Sequence, residues 1–333
     1  MTKPVLILDA YWRTVSELFS DSDLSSLREQ FEVVWGKDSP IPDDVVTAAL
    51  PEVVALISAA PQITQSTLDA APNLKVVIEV SGQFPDTIDY AACRARNVQV
   101  LSCAPGFSQS TAEMALALAL AGARGVVAEH ELFRRGRESW KADHPQRDFS
   151  LFDADIGFIG FGAIGRETLR LLRPFRPTVR VYDPNLRAAE ATAESVQIVS
   201  LADVLSNSKL VFVAALPSET NKAMIDAREL SRLADGSLLV LISRAHLVDF
   251  DALLRDTAFG RIRAAIDVFP EEPVDKKSQM RDNPNLILSP HRSTAVSGGR
   301  HLIGNMILKD LNLINSGGSP CNLQSASSVK CLL

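Results

Sequence analysis

Cysteine is scarce in this chain. The four present, Cys93, Cys103, Cys321 and Cys331, follow neither a disulfide framework nor a metal-ligand spacing. A small disulfide-stapled scaffold is thereby excluded, no metal centre is expected, and a reducing cytoplasmic setting fits. Basic tracts are also missing. With 34 Lys and Arg against 40 Asp and Glu, the net charge is −6 and the isoelectric point lies near 5.5. Such a chain carries no electrostatic footprint for nucleic acid. Long apolar runs are absent as well. The longest, residues 114–123, is about half of the roughly 20 residues that a membrane-spanning helix requires. At the N-terminus Asp9 arrives before the hydrophobic core of a signal peptide could form. Cys331 stands one residue short of a prenylation box, so no membrane anchor is expected.

What is present suits a globular protein of two domains: 333 residues, 46% hydrophobic and 22% charged, exceed one ordinary core. The first hundred residues alternate β-rich runs (5–8, 33–35, 53–57, 76–80, 98–101) with helical patterns (15–31, 44–50, 63–70, 88–94). Strands alternating with helices predict a parallel sheet covered on both faces. No glycine fingerprint follows the first of these strands. Ser110-Thr111-Ala112-Glu113 has the form of a capping box and predicts a helix running toward Phe133. Residues 134–148 read as a polar, exposed arm in which Trp140 stands alone among charges. A second alternation follows, with strands at 156–159, 179–182, 210–214, 238–242, 264–268 and 286–289. Helices are expected to begin near Gly165, Leu201, Asp226 and Asp249. A helix over 303–314 and a loose Gly/Ser-rich tail over 316–328 complete the chain, with no regulatory domain expected after Asn322.

The second alternation opens on Gly160-x-Gly162-Ala163-Ile164-Gly165, placed between an apolar strand and a helix. In that order Gly160 permits the tight turn, Gly162 lets a pyrophosphate approach the backbone, and Gly165 lets helix and strand pack closely. The free N–H groups of the helix start then face the phosphates. Asp183 lies eighteen residues after Gly165, where an acid bonds the adenosine ribose. A carboxylate there favours NAD over NADP, with Arg180 and Arg187 as nearby cations. Three polar residues then sit at or just beyond late strand ends, the binding edge of an open α/β sheet: Arg244, Glu272 and His291. Singly each has a plain reading, as a loop cation, a surface turn and an inert imidazole. Together they form a trio suited to reducing a 2-keto acid. The guanidinium can grip the carboxylate in a fork, the imidazole can pass a proton to the keto oxygen, and the carboxylate can orient the ring.

These motifs resemble the D-isomer-specific 2-hydroxyacid dehydrogenases over residues 76–322. Besides the glycine fingerprint with Asp183, the resemblance rests on Ser243-Arg244-x-x-Leu247-Val248-Asp249, Asp267-Val268-Phe269-x-x-Glu272-Pro273 and Ser289-Pro290-His291. It implies a flavodoxin-like substrate domain (1–107 plus 294–333) and a Rossmann NAD-binding domain (108–293), both doubly wound, with the binding cleft between them. The implied reaction is reversible hydride transfer between NAD(H) and C2 of a small 2-hydroxy or 2-keto acid. Arg244 would bind substrate, His291 would be the acid/base and Glu272 its partner. Ser243 and Asp267 would touch the nicotinamide end, and Val80, Ser81 and Gly82 would offer backbone N–H groups to the substrate carboxylate. A homodimer through residues 110–140 is implied too. Departures mark a divergent branch: Leu241 stands where the family has Asn, Ala245-His246 follow the arginine, and Arg292-Ser293-Thr294 follow the histidine. The alternative of another class is an NAD-sensing interaction protein on the same scaffold.

Overall fold

The computed structural model describes residues 2–144 and 147–328, so Cys331 lies outside the described residues. The chain divides into two compact units, Met1–Ser108 with Thr294–Leu333, and Gln109–Ser293. The first begins β1 (Val5–Asp9), α1 (Val15–Leu18), α2 (Asp21–Gln30), β2 (Glu32–Lys37), α3 (Asp43–Ala49), β3 (Val53–Ser58), α4 (Gln65–Ala70), β4 (Val76–Glu79), α5 (Tyr90–Ala95) and β5 (Gln99–Ser102). The helix expected over 15–31 is two helices. Ser20 takes extended dihedrals (φ −66°, ψ 161°) and its hydroxyl accepts the N–H of Asp23, so it caps a new helix where periodicity alone would run on. All strand pairs among β1 to β5 are parallel, in the order β2-β1-β3-β4-β5, the flavodoxin-like arrangement. Alternate residues feed opposite faces. Leu6, Leu8, Ile57, Ile78 and Leu101 pack in one core, and Ile7, Leu56, Val77 and Val100 in the other. That two-sided burial explains why these strands read as continuous apolar runs.

A 3-10 turn at Ala104–Phe107 leads into α6 (Ser108–Ala123) and α7 (Val126–Arg134). Ser110 is therefore inside α6 rather than its cap, and its hydroxyl donates to the Ser293 carbonyl at 2.7 Å. The single helix expected toward Phe133 bends by 60° at Gly125, whose φ is +62°. That left-handed backbone favours glycine, whereas the nearest atoms to an added β-carbon are the side-chain tips of Arg147 and Asp148, which can shift. Among the described residues no single helix is long and apolar enough to cross a membrane.

The second unit continues β6 (Asp155–Ile159), α8 (Ala163–Leu172), β7 (Thr178–Tyr182), α9 (Ala188–Ala193), β8 (Gln197–Ile198), α10 (Leu201–Ser206), β9 (Leu210–Val213), α11 (Ala227–Leu230), β10 (Leu238–Leu241), α12 (Phe250–Ala258), β11 (Arg263–Ile266) and β12 (Leu286–Leu288). The sheet is seven-stranded and parallel, in the order β12-β11-β10-β9-β6-β7-β8. Six strands were expected; β8 is two exposed residues at the edge and leaves no apolar signature. The order reverses between β6 and β9, which makes the turn after β6 the switch point of a Rossmann sheet.

The chain then returns to the first unit through α13 (His301–Asn315) and β13 (Gln324–Ser325), which pairs antiparallel with β5. The tail expected to be loose is thus tied down at least to residue 325. Its anchor is Asp310, fully buried on α13. The carboxylate accepts the N–H groups of Cys321 (3.0 Å), Asn322 (3.1 Å) and Leu323 (2.7 Å), and Asn322 Nδ2 at 2.7 Å. Replacing Asp310 by alanine strands these donors and should lower unfolding stability by about 2–4 kcal/mol. Urea unfolding measures it, and a loss below about 0.5 kcal/mol would show that the tail does not depend on this carboxylate.

Candidate active site

Because every strand of the second unit is parallel, the chain leaves all of them at one edge, and each expected site residue of this unit lies there. The glycine turn comes first. Gly160 has φ +86°, and a β-carbon on it would fall 2.3 Å from Ala215 Cα. Gly165 backs onto the turn, its added β-carbon 3.0 Å from the Gly160 carbonyl. In front of Gly162 a β-carbon would meet nothing within 4 Å. That open space lies at the start of the ten-residue α8, whose first free N–H groups include those of Ala163 and Ile164. An open glycine facing free amides at the positive end of a helix dipole fits a pyrophosphate.

Asp183, just past β7, closes the turn from the other side. Its Oδ2 accepts the N–H of Phe161 and its Oδ1 that of Asn185, both at 2.8 Å. One lone pair on each oxygen remains for a ribose diol. The two nearby cations able to draw a 2′-phosphate are each in an ion pair: Arg180 with Asp155 at 2.6 Å, and Arg187 with Glu190.

Arg244 follows β10. Its Nη1 donates to the Ser243 carbonyl at 2.7 Å and the side chain is exposed, with no ion pair among the described residues. A guanidinium held by one carbonyl keeps most of its fork for a ligand. Ser243 and Asp267, expected to touch the nicotinamide, have their side chains turned inward. The Ser243 hydroxyl donates to the Val213 carbonyl at 3.1 Å. The fully buried Asp267 accepts the Ser289 hydroxyl (2.5 Å) and the N–H groups of Arg292 (2.8 Å) and Ser293 (3.0 Å). What the structure gives Asp267 is bracing: it clamps both flanks of His291.

His291 itself takes a left-handed backbone, φ +50°, and its Nδ1 lies 2.6 Å from Glu272 Oε2. An ionised carboxylate only accepts, so Nδ1 carries the hydrogen and Nε2 is left to exchange a proton. Glu272 is fixed in turn by the N–H of Phe269, 2.9 Å from Oε1. The pair is part-exposed, at 44% and 35% of the side chains, and borders a cavity of 460 Å³ walled by apolar groups such as Phe269, Met280 and Leu288. His246 stays apart from the pair, its Nε2 2.9 Å from the Ser218 carbonyl, and the Arg292 side chain is exposed.

The backbone donors assigned to the substrate carboxylate are already taken: Val80 N–H donates to the Ser58 carbonyl at 3.0 Å. Those of Ser81 and Gly82 go to the carboxylate of Glu79, as does that of Gln83. Glu79, at the end of β4 and fully buried, fills from within the nest that an external anion would need.

Comparison with known proteins agrees with this geometry. Residues 116–293 match the model of the D-isomer specific 2-hydroxyacid dehydrogenase NAD binding domain. The chain belongs to the D-isomer specific 2-hydroxyacid dehydrogenase family. It is similar to the glyoxylate reductase of Thermococcus gammatolerans, 30% identical over 95% of this chain and 96% of that one. The D-3-phosphoglycerate dehydrogenase of Mycobacterium tuberculosis is also 30% identical, over 91% of this chain and 56% of the longer relative. Among solved structures, a phosphoglycerate oxidoreductase from Rhizobium etli superposes with a TM-score of 0.87 at 30% identity, covering 97% of this chain and 98% of that one.

As a 2-hydroxyacid dehydrogenase family member the chain is an NAD-binding oxidoreductase. Two of its polar anchors escape motif reading. Glu79 had a signal, an acid closing an apolar strand ahead of Ser81-Gly82. Asp310 had none, since an acid on an amphipathic helix ordinarily faces water.

Proposed function

We propose that this chain transfers hydride reversibly between NAD(H) and C2 of a small 2-keto or 2-hydroxy acid of the D series. The observation that supports it most is the 2.6 Å pairing of His291 with Glu272 on the strand edge that also carries Arg244 and the glycine turn. Bound NAD(H) supplies or accepts the hydride. Arg244 holds the substrate carboxylate in its fork and polarises the keto oxygen. His291 gives a proton from Nε2 to that oxygen as C2 is reduced, and takes it back in the reverse direction. Glu272 holds the ring and stabilises its charged form when the proton returns. The similarity to glyoxylate reductases supports a small acid as substrate. NADH oxidation with glyoxylate, hydroxypyruvate and phosphohydroxypyruvate tests the reading. Tight NADH binding without turnover of any would replace it with a cofactor-sensing role.

NAD is the proposed cofactor, because the Asp183 carboxylate accepts a ribose diol and repels a phosphate. Asp183→Ala should weaken NADH binding about 10- to 100-fold while leaving NADPH nearly unaffected. A wild-type preference for NADPH would contradict the assignment. A homodimer through α7 and the following arm is part of the proposal, supported by exposed Val126, Phe133 and Trp140; the mass in solution tests it.

A further inference from the structure

The first residues of β10, β11 and β12 are Leu238, Arg263 and Leu286, and all three line a cavity of 580 Å³ within the second unit. It lies where the strands begin, at the opposite end of the sheet from the glycine turn. α7 closes it with one face: Val127, Ala128, Glu131, Leu132 and the C-cap Arg135 recur at helical spacing. Val126 and Phe133, seven residues apart, fall on the other face of the helix. The surface proposed for a second copy is therefore not the cavity wall.

Four guanidiniums border this cavity against two carboxylates, those of Glu131 and Asp282. Three of the four have a partner or water at hand: Arg147 pairs with Glu129 and Asp148, Arg135 pairs with Glu131, and Arg281 is exposed. Arg263 has neither. It is 7% exposed, and among the described residues no carboxylate pairs with it. Its Nη1 and Nη2 donate to the carbonyls of Gly122 and Arg147, both on the cavity wall, while Nε finds no acceptor. Two of its five N–H groups are thus met. Burial pushes this guanidinium down to about 10, with Asp148 opposing the shift and Arg147 adding to it, so it stays protonated at neutral pH. Bracing the end of α6 accounts for the carbonyl bonds and leaves the charge unanswered. A buried charge without a counter-charge is costly, and an anion in the adjoining cavity would supply one. Such an anion needs no contact with the inward-turned Nε. Its hydrogen bonds would come from the reachable fork of Arg135, whose 3.2 Å pair with Glu131 is more than half exposed on both sides and easily exchanged.

We propose that this cavity is a second binding site, taking a small organic anion with two or more charges, a phosphate ester or a polycarboxylate. Planar guanidinium forks suit both oxyanions. The volume exceeds what an inorganic ion fills, and Val127, Leu132, Leu238 and Leu286 offer apolar wall to a carbon skeleton. Arg281 also borders the cavity beside His291, whereas Arg135 and Arg263 do not. Those two therefore report on this site.

The test is calorimetric titration of the NADH-saturated protein, its glycine turn thereby filled, with citrate, glucose 6-phosphate and inorganic phosphate. Citrate or glucose 6-phosphate should bind at one site with Kd below about 1 mM, and inorganic phosphate at least about 10-fold more weakly. Which organic anion binds separates a polycarboxylate from a phosphate ester. Arg263→Met, which keeps the apolar stem and drops the charge, should weaken binding at least about 10-fold, and Arg135→Gln about two- to fivefold. Arg244→Gln should leave the affinity within about twofold of wild type. No saturable binding of either organic anion, or equal affinity for inorganic phosphate, overturns the inference. So does binding that is untouched by Arg263→Met and Arg135→Gln, or lost in Arg244→Gln, which would put the anion at the catalytic edge. An Arg263 that merely braced α6 would lower the melting temperature on substitution and bind no anion in wild type. Should Arg263→Met not fold, Arg135→Gln beside Arg244→Gln carries the same comparison.

Discussion

Replacing His291 by asparagine is expected to cut kcat about a thousandfold, with NADH binding within about threefold of wild type. Asparagine is the sharper choice because the backbone at 291 is left-handed, φ +50°, a conformation that Asn tolerates well. The clamp from Asp267 to the N–H groups of Arg292 and Ser293 does not involve the imidazole, so the turn should keep its shape. What disappears is the Nε2 proton and the ring whose Nδ1 meets Glu272. Glu272→Gln should cost less, about tenfold to a hundredfold, because it leaves the imidazole in place but with a poorer partner. Stopped-flow or steady-state rates with a turned-over keto acid, beside fluorescence titration with NADH, separate the two effects. Near-normal turnover in His291→Asn would remove the acid/base assignment.

Gly160→Ala and Gly162→Ala should fail differently. At Gly160 a β-carbon would stand 2.3 Å from Ala215 Cα and 2.4 Å from its nitrogen, on a backbone at φ +86°. Backbone must move, and with it the Phe161 N–H that reaches Asp183. The variant should lose about 2–4 kcal/mol of stability as well as NADH binding. At Gly162 nothing lies within 4 Å, so alanine should fold with an unchanged melting temperature. Yet its methyl group occupies the space that a pyrophosphate needs, and affinity for NADH should fall at least about a hundredfold. Equal melting curves for both variants, or undiminished NADH affinity in Gly162→Ala, would detach the turn from the cofactor.

Much of this architecture is legible in the sequence because its signals are local. Buried parallel strands such as residues 53–57 and 210–213 are uninterrupted apolar runs, and the glycine turn states its own geometry. The misreadings occur where a distant partner decides. Ser110 looks like a cap until the Ser293 carbonyl is seen to take its hydroxyl, and the tail looks loose until Asp310 collects three of its amides. The break at Gly125 lies between an apolar α6 and a mixed α7, and a lone glycine within a helical pattern does not by itself mark an end.

The active site divides in the same way. Arg244, Glu272 and His291 could be named as candidates because each follows a recognisable strand in the right order. Whether a found residue is free to act is a different matter, since hydrogen-bond occupancy is a three-dimensional fact. Ser243 and Asp267 are spent on the scaffold, and the amides of Val80, Ser81 and Gly82 are spent on Ser58 and Glu79.

The central claim is that a hydride passes directly between the cofactor and C2 while His291 handles the proton. Reduction of the best keto acid of the panel with NADH deuterated at C4, followed by mass and NMR analysis of the product, tests it most directly. One deuterium at C2, in a product of D configuration where C2 is a stereocentre, is the predicted result, lost together with turnover in His291→Asn. A product without deuterium from either face of the cofactor, or no product from any 2-keto acid despite bound NADH, would contradict it.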